Sequence, residues 1–284
     1  MKRGLVLEGG AMRGLFTAGV LDVLMDKGIT FDGVIGVSAG ACFGCNVVSE
    51  QIGRTIRYNI KYAKDDRYCS IRSLLKTGDI YGAEFCYHTL PEVLDVFDSE
   101  KFNSSPVEFY VVATDVNTGK PVYHLIDRME DDGLEWIRAS ASMPLVSNIV
   151  EIDGGKYLDG GVSDSIPINA FNELGYDVNV TVLTKPRGYR KGPNKAMPLI
   201  KWRYKEYPEF IRMSETRHIA YNEQLRNVFE EEKAGNNFVI CPKSPLPIGH
   251  ITHDPHKVKE VYDIGRSEAL ELLPALDRFI ESHM

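Results

Sequence analysis

No run of residues in this chain is long and apolar enough to span a bilayer. The longest uncharged stretch covers 33–49 and is diluted by Gly, Ser, Cys and Asn, short of the ~20 apolar residues a spanning helix needs. The opening "MKRGLVLEGG" has only a few apolar residues before Glu8, too few for the core of a secretory leader. A surplus of positive charge is also missing. Lysine and arginine number 33 against 40 acids, a net charge of −7. Nucleic acid as the main partner needs a dominant basic field and is excluded on that ground. Cysteines are few and odd in number: Cys42, Cys45, Cys69, Cys86 and Cys241. A reducing, cytosolic compartment is therefore expected rather than a disulfide framework. Internal repeats and low-complexity tracts are absent. What is present, 43% hydrophobic and 26% charged residues, is the composition of a globular protein with a large core.

The pattern along the chain is that of an α/β protein. "RGLVLEGG" predicts a buried strand ending in a glycine turn. Residues 12–27 place Leu15, Phe16, Gly19, Val20, Val23 and Leu24 at helical spacing. "FDGVIGV" predicts a second strand and 38–49 a small-residue helix. This β-α-β-α grammar calls for a parallel sheet. Residues 51–97 read as mostly helical, broken at Gly78 and Gly82. Strands follow at 107–116 and at "TGKPVYHLI", then a helix over 132–141. "NIVEIDGGKYLDGG" holds two short strands around a turn. A strand at 177–184, helix through 198–234, a strand in "NNFVICP" and an amphipathic helix over 256–282 complete the chain. The loop 185–198, rich in Pro and Gly, is the one candidate boundary. The strand after it is expected to join the same sheet.

Within "VIGVSAGAC", Gly36, Val37, Ser38, Ala39 and Gly40 form G-x-S-x-G between a strand and a helix. In that context the serine sits in a strained turn, and the helix N-terminus favours an oxyanion. The competing reading is a plain turn with Ser38 as helix N-cap. The first glycine turn holds Gly9, Gly10, Ala11, Met12, Arg13 and Gly14. It lacks the second glycine of a dinucleotide fingerprint and the Lys of a Walker loop. If the first two strands are neighbours in a parallel sheet, both loops open on one edge. The amides of Gly10 and Ala11 then face Ser38.

A serine nucleophile needs a base. Among seven histidines, only "GHITHDPH" (250–256) lies late enough for a triad. Its spacing fits no zinc motif, and a solvated loop is the simpler expectation. The alternative base is an aspartate. Asp153-Gly154-Gly155 lies between two strands and reads as a hairpin turn. Asp159-Gly160-Gly161 follows the return strand, where the glycines expose a carboxylate at a strand end. Asp159 is thus the functional candidate. Cys42-x-x-Cys45 reads as small thiols packing the helix after Ser38, rather than a redox pair.

Four elements occur in order: Gly9-Gly10-x-x-Arg13-Gly14, G-x-S-x-G at 36–40, "ASASMP" at 139–144, and Asp159-Gly160-Gly161. Together they resemble the patatin-like phospholipases, in particular bacterial members with a helical C-terminal extension. The resemblance implies a three-layer α/β/α sandwich with a mainly parallel sheet. It places a catalytic domain at 1–175 and an extension at 176–284 packed on that domain. It implies a Ser38–Asp159 dyad, the 9–14 loop as oxyanion hole, and no metal or cofactor. Ala11 replaces the third glycine of the family's G-G-G run, which is strained if the loop needs φ > 0 there. The expected activity is lipid acyl hydrolysis through an acyl-enzyme. An acyltransferase or thioesterase on the same dyad, or a non-catalytic lipid-binding protein, are the alternatives. Two basic, aromatic stretches are candidates for peripheral membrane contact: "RTIRYNIKYAK", and the eight basic residues without an acid over 178–205. A solvated surface is the competing expectation for both.

Overall fold

The computed structural model describes residues 1–283. Its elements are β1 (Arg3–Leu7), α1 (Gly14–Asp26), β2 (Gly33–Val37), α2 (Ala39–Val48), α3 (Arg54–Lys61), α4 (Ile71–Thr77) and α5 (Ser99–Ser104). They continue with β3 (Glu108–Asp115), β4 (Pro121–Leu125), α6 (Asp131–Ala141), β5 (Val150–Ile152), β6 (Gly155–Asp159) and α7 (Ile168–Glu173). The last are β7 (Val178–Val182), α8 (Met197–Arg203), α9 (Pro208–Ala234), β8 (Asn237–Ile240) and α10 (Pro255–Glu281).

Eight strands form one sheet. β3, β2, β1, β7 and β8 lie side by side and parallel, while β4, β5 and β6 add antiparallel pairs. Side chains alternate across it as a pleated strand requires. Leu5 and Leu7 of β1 enter one core, with α1, α2 and α10. Val6 enters the other, with α7 and α9. Both faces are covered, so the parallel strands are apolar almost throughout. The result is the expected three-layer sandwich.

The edges of β3 arrange the site. β4 runs along one edge, pairing with Tyr110–Thr114. β2 takes the other edge as far as Val37 opposite Val112. Residues beyond that point pair with both β4 and β6, and a strand has only two edges. β6 therefore continues along the edge that β2 leaves, with Asp159 opposite Ala113. The end of β2 and the end of β6 meet there.

Two short helices escaped the periodicity. α5 begins at Asp98, whose side chain accepts from the Lys101 amide. α7 follows Pro167. Each spans six residues, too few to repeat a 3.6-residue pattern. The first long helix begins at Gly14 rather than 12, because Ala11–Arg13 forms a 3-10 turn. Residues Phe85–Leu94 are π-helical around Pro91.

The C-terminal helix is seated by close backbone approach. A Cβ built on Gly265 of α10 would lie 2.1 Å from the Phe16 carbonyl oxygen of α1, and one on Gly19 would lie 2.1 Å from the Tyr262 oxygen. Around this crossing, Tyr262 donates to buried Asp22 at 2.6 Å and Arg266 donates to Asp26 at 2.9 Å. Gly265→Leu forces the helices apart. It is expected to lower the urea midpoint by the equivalent of ~1–3 kcal/mol, the usual cost of overpacking; an unchanged midpoint would contradict the close crossing.

Candidate active site

Ser38 occupies the single residue between β2 and α2. Its backbone is at φ 56°, ψ −121°, a strained region for any residue with a side chain, at a cost of order 1–3 kcal/mol. The neighbouring glycines hold it there. A Cβ on Gly36 would lie 2.6 Å from the Ala41 amide nitrogen, and one on Gly40 would lie 2.5 Å from the Leu7 oxygen. Neither position accepts a side chain while α2 starts this close to the sheet. Ser38 does not cap α2 with its side chain, which removes the plain N-cap interpretation. Its Oγ instead donates to Asp159 Oδ2 at 2.7 Å.

Asp159 ends β6 and is 6% exposed; Ser38 is 7% exposed. The carboxylate was expected to be exposed at its strand end, but it is buried. Burial pushes its pKa above the ordinary aspartate value of 3.8, while the Ser38 hydroxyl, Arg217, the Gly161 amide and Lys191 pull it back. A carboxylate raised this way is a stronger proton acceptor than one in water. Oδ1 accepts from the Gly161 amide at 2.8 Å, which leaves Oδ2 to the serine. Asp153 lies in the β5–β6 turn with φ 50°, followed by Gly154 at φ 78°. These are hairpin-turn angles, far from Ser38 in role.

The "ASASMP" block at the end of α6 holds both partners. Ser140 Oγ accepts from the Ser38 amide at 3.0 Å, and the Ser142 carbonyl accepts from the Asp159 amide at 2.8 Å. From β3, Thr114 Oγ1 donates to the Asp159 carbonyl at 2.9 Å. These positioning contacts carried no local signal beyond small residues before a proline.

The glycine loop stands beside Ser38: a Cβ on Gly9 would lie 3.0 Å from the Ser38 Cβ. Ala11 has φ 47°, so the loop does require the left-handed region at the position where alanine replaces glycine. Of the loop amides, Arg13 donates to the Gly10 carbonyl at 3.1 Å and Gly14 donates to Ala11. Those two are committed within the turn. The Gly10 and Ala11 amides have no acceptor among the described residues. Glu8 fixes the loop from below. It accepts from the Thr184 amide at 2.5 Å and the Thr184 hydroxyl at 3.0 Å, and from Tyr221 at 2.6 Å. Its partners come from the loop after β7 and from α9, so nothing near Glu8 in sequence announced them.

Two cavities meet at Ser38 and Ala11. One is apolar and includes Met12, Phe43, Leu90, Leu134 and Ile137. Cys42 and Cys45 also line it, a correction to the expectation that these thiols merely pack α2. Cys42 and Cys45 are both free, and burial pushes their thiols up to about 12 and about 11, opposite to a reactive pair. The other cavity carries the charged groups and contains Asp159, Arg13, Lys191, Arg217 and His250. His250 Nε2 lies 3.2 Å from Arg13 Nη2, not on the serine. Burial and four nearby cations push its pKa down to about 4, so the ring is neutral at pH 7. His253 instead meets the Ala63 carbonyl at 3.1 Å, and His256 is exposed.

The fold and this geometry define an α/β/α protein that presents a serine on a strained strand-to-helix turn against a buried aspartate. The model of the patatin-like phospholipases matches residues 5–172, and the chain belongs to that family. Residues 207–281 match a further domain whose function is unknown. The uncharacterized protein YjjU of Escherichia coli is 26% identical over 273 residues, covering 92% of this chain and 74% of that protein. Lysophospholipase nte1 of Aspergillus terreus is 26% identical over 96% of this chain, which spans only 18% of that protein's length. Among solved structures, VipD of Legionella pneumophila aligns over 96% of this chain with a TM-score of 0.47 and 13% identity.

The causes of the Asp159 shift can be separated by carboxyl 13C titration. The group is expected to titrate above 3.8 in the wild type. Ser38→Ala removes a hydrogen bond that stabilises the carboxylate, so the midpoint rises further. A midpoint at or below the ordinary value would contradict burial as the dominant cause.

Proposed function

We propose that the protein is a serine lipid acyl hydrolase working through a Ser38–Asp159 dyad. The observation that carries this is the 2.7 Å hydrogen bond from Ser38 Oγ to Asp159 Oδ2 where the two cavities meet. Family membership over 5–172 supports a lipid substrate, and the lysophospholipase relatives nte1 point to a lysophospholipid ester.

In this mechanism Asp159 Oδ2 takes the Ser38 proton as Oγ attacks the ester carbonyl. The carbonyl π pair moves onto oxygen. The oxyanion is held by the Gly10 and Ala11 amides, with the Ala39 amide and the α2 dipole behind Ser38. Collapse breaks the bond to the alcohol, which leaves with the proton from Asp159. Water then gives a proton to Asp159 as its oxygen attacks the acyl carbonyl, and collapse breaks the ester bond to Ser38 Oγ, which takes that proton back as the acid leaves. Aspartate is a weak base for a hydroxyl, so the burial that raises its pKa and the preorganised amides must lower much of the barrier. A preorganised donor of this kind is typically worth 10²–10³-fold in kcat, about 3–4 kcal/mol. The apolar cavity suits the acyl chain.

Contact with a lipid surface is proposed through 185–205. Leu199 and Trp202 of α8 are 51% and 72% exposed, among Lys195, Lys201, Arg203 and Lys205. Exposed apolar side chains within a basic segment suit an anionic interface. No helix among the described residues is long and apolar enough to cross a membrane. The five unpaired thiols support a cytosolic setting.

Ser38→Ala and Asp159→Asn are each expected to reduce hydrolysis of an activated acyl ester by at least about 10⁴-fold with unchanged circular dichroism, and a fluorophosphonate should label Ser38 alone. Full activity in Asp159→Asn, coupled with loss in His250→Ala, would sink the dyad. At low salt, anionic liposomes should sediment the wild type and release Trp202→Ala more readily. Equal retention of both would remove α8 from the contact.

A further inference from the structure

The larger cavity beside Ser38 is crowded with positive charge. Arg13 from the glycine loop, Lys185 and Lys191 from the loop after β7, and Arg217 from α9 all line it. Its only acids are Glu8 and Asp159, and both are occupied by hydrogen bonds to Thr184, Tyr221, Ser38 and Gly161. Outside the cavity, Arg187 pairs with Glu232, Lys201 with Glu215 and Arg212 with Glu209, while Arg190, Lys195, Arg203 and Lys205 are exposed to solvent, which screens them. Among the described residues, none of the four cavity cations has such a pair.

Buried polar atoms without partners also lie behind this wall. Six buried side-chain nitrogen or oxygen atoms lack a partner among the described residues, and three of them, Arg13 Nε, Arg217 Nε and Ser214 Oγ, belong to residues on this wall. Leaving such groups unmatched is costly unless something completes them.

The cations are held in place rather than free to swing out. The Lys191 amide donates to Asn222 Oδ1 at 2.8 Å, and Asn222 Nδ2 donates back to the Lys191 carbonyl at 3.0 Å. Lys191 Nζ then sits 4.2 Å from the centre of the Tyr221 ring, while Lys185 Nζ sits 4.8 Å from that of Tyr189. Burial and the Arg217 charge push Lys191 down to about 8, as expected for cations forced together.

We propose that this cavity is a phosphate subsite, in which Arg13, Lys185, Lys191 and Arg217 hold the phosphate of a lipid headgroup while Ser38 opens the acyl ester. The assignment rests on Ser38 being an acyl-transfer nucleophile. Four cations exceed what two carboxylate oxygens can engage, whereas a phosphate offers more acceptors in a compact, charged group. Three of the four cations lie beyond residue 172, where the match to the patatin-like phospholipases ends. Headgroup selection would therefore come from the C-terminal part of this chain.

Two measurements test it. In the first, kcat/KM is compared for monohexanoylglycerol and its 3-phosphate, both as monomers in solution. The phosphate ester should be preferred by the wild type, and the preference should fall about tenfold or more in Lys191→Gln and in Arg217→Gln, as for loss of one charged hydrogen bond, chiefly through KM. Lys257→Gln, on the exposed surface of α10, should keep the wild-type preference. In the second, Ser38→Ala is titrated calorimetrically with inorganic phosphate and with glycerol 3-phosphate. Both should bind, and Arg217→Gln or Lys185→Gln on that background should weaken them about tenfold. Absence of binding overturns the subsite. Binding with an unmoved ester preference assigns the cavity to a free anion and overturns the headgroup assignment. Binding of glycerol 3-phosphate with neither ester cleaved upholds the anion site and defeats the hydrolase reading instead.

Discussion

The site depends on one edge of β3 being shared by two strands. β2 runs along that edge to Val37 and then turns away at Ser38. β6 arrives on the same edge, in the opposite direction, and stops at Asp159. The ladder hydrogen bonds of both strands to β3 fix how close their ends come. A one-residue slip of β6 would turn Asp159 to the other face of the sheet. The strained serine, the buried aspartate and the two serines of the α6 end are consequences of that junction.

Burial of this pair sets up opposing electrostatic effects. Removing Asp159 from water raises its affinity for a proton, which suits a base. The Arg217 and Lys191 charges pull in the other direction. The ionised carboxylate survives in a buried position because Ser38, the Gly161 amide and these cations all stabilise it. The same cations face a cavity with no free acid. An anion entering that cavity would offset their charge beside Asp159, the proposed base.

The C-terminal part of the chain reaches the site from two sides. α10 locks onto α1 where Gly19 and Gly265 let the backbones touch, and α1 carries the glycine loop at its start. α9 covers the opposite face, sends Tyr221 to Glu8 and brings Arg217 over Asp159. β7 and β8 extend the sheet beyond β1. The loop geometry around Ser38 is thus fixed by residues that follow it by nearly the whole length of the chain.

The strands and long helices were legible because period-2 and 3.6-residue patterns survive in single elements, and because Gly36, Gly40 and Gly161 mark turns that only small residues fill. Ser38 and Asp159 could be picked out for the same reason: each stands in a local pattern that chemistry restricts. The two six-residue helices gave no period to detect. The burial of Asp159 and the left-handed angle at Ala11 are set by neighbours distant in sequence. So are the roles of Glu8, Ser140 and Arg217, whose partners lie on other elements. By itself the sequence determined which residues can carry the chemistry, since turn geometry and side-chain type are local. Only the tertiary structure decided their protonation, their partners and the charge of the space around them, because burial and electrostatics sum over everything packed nearby.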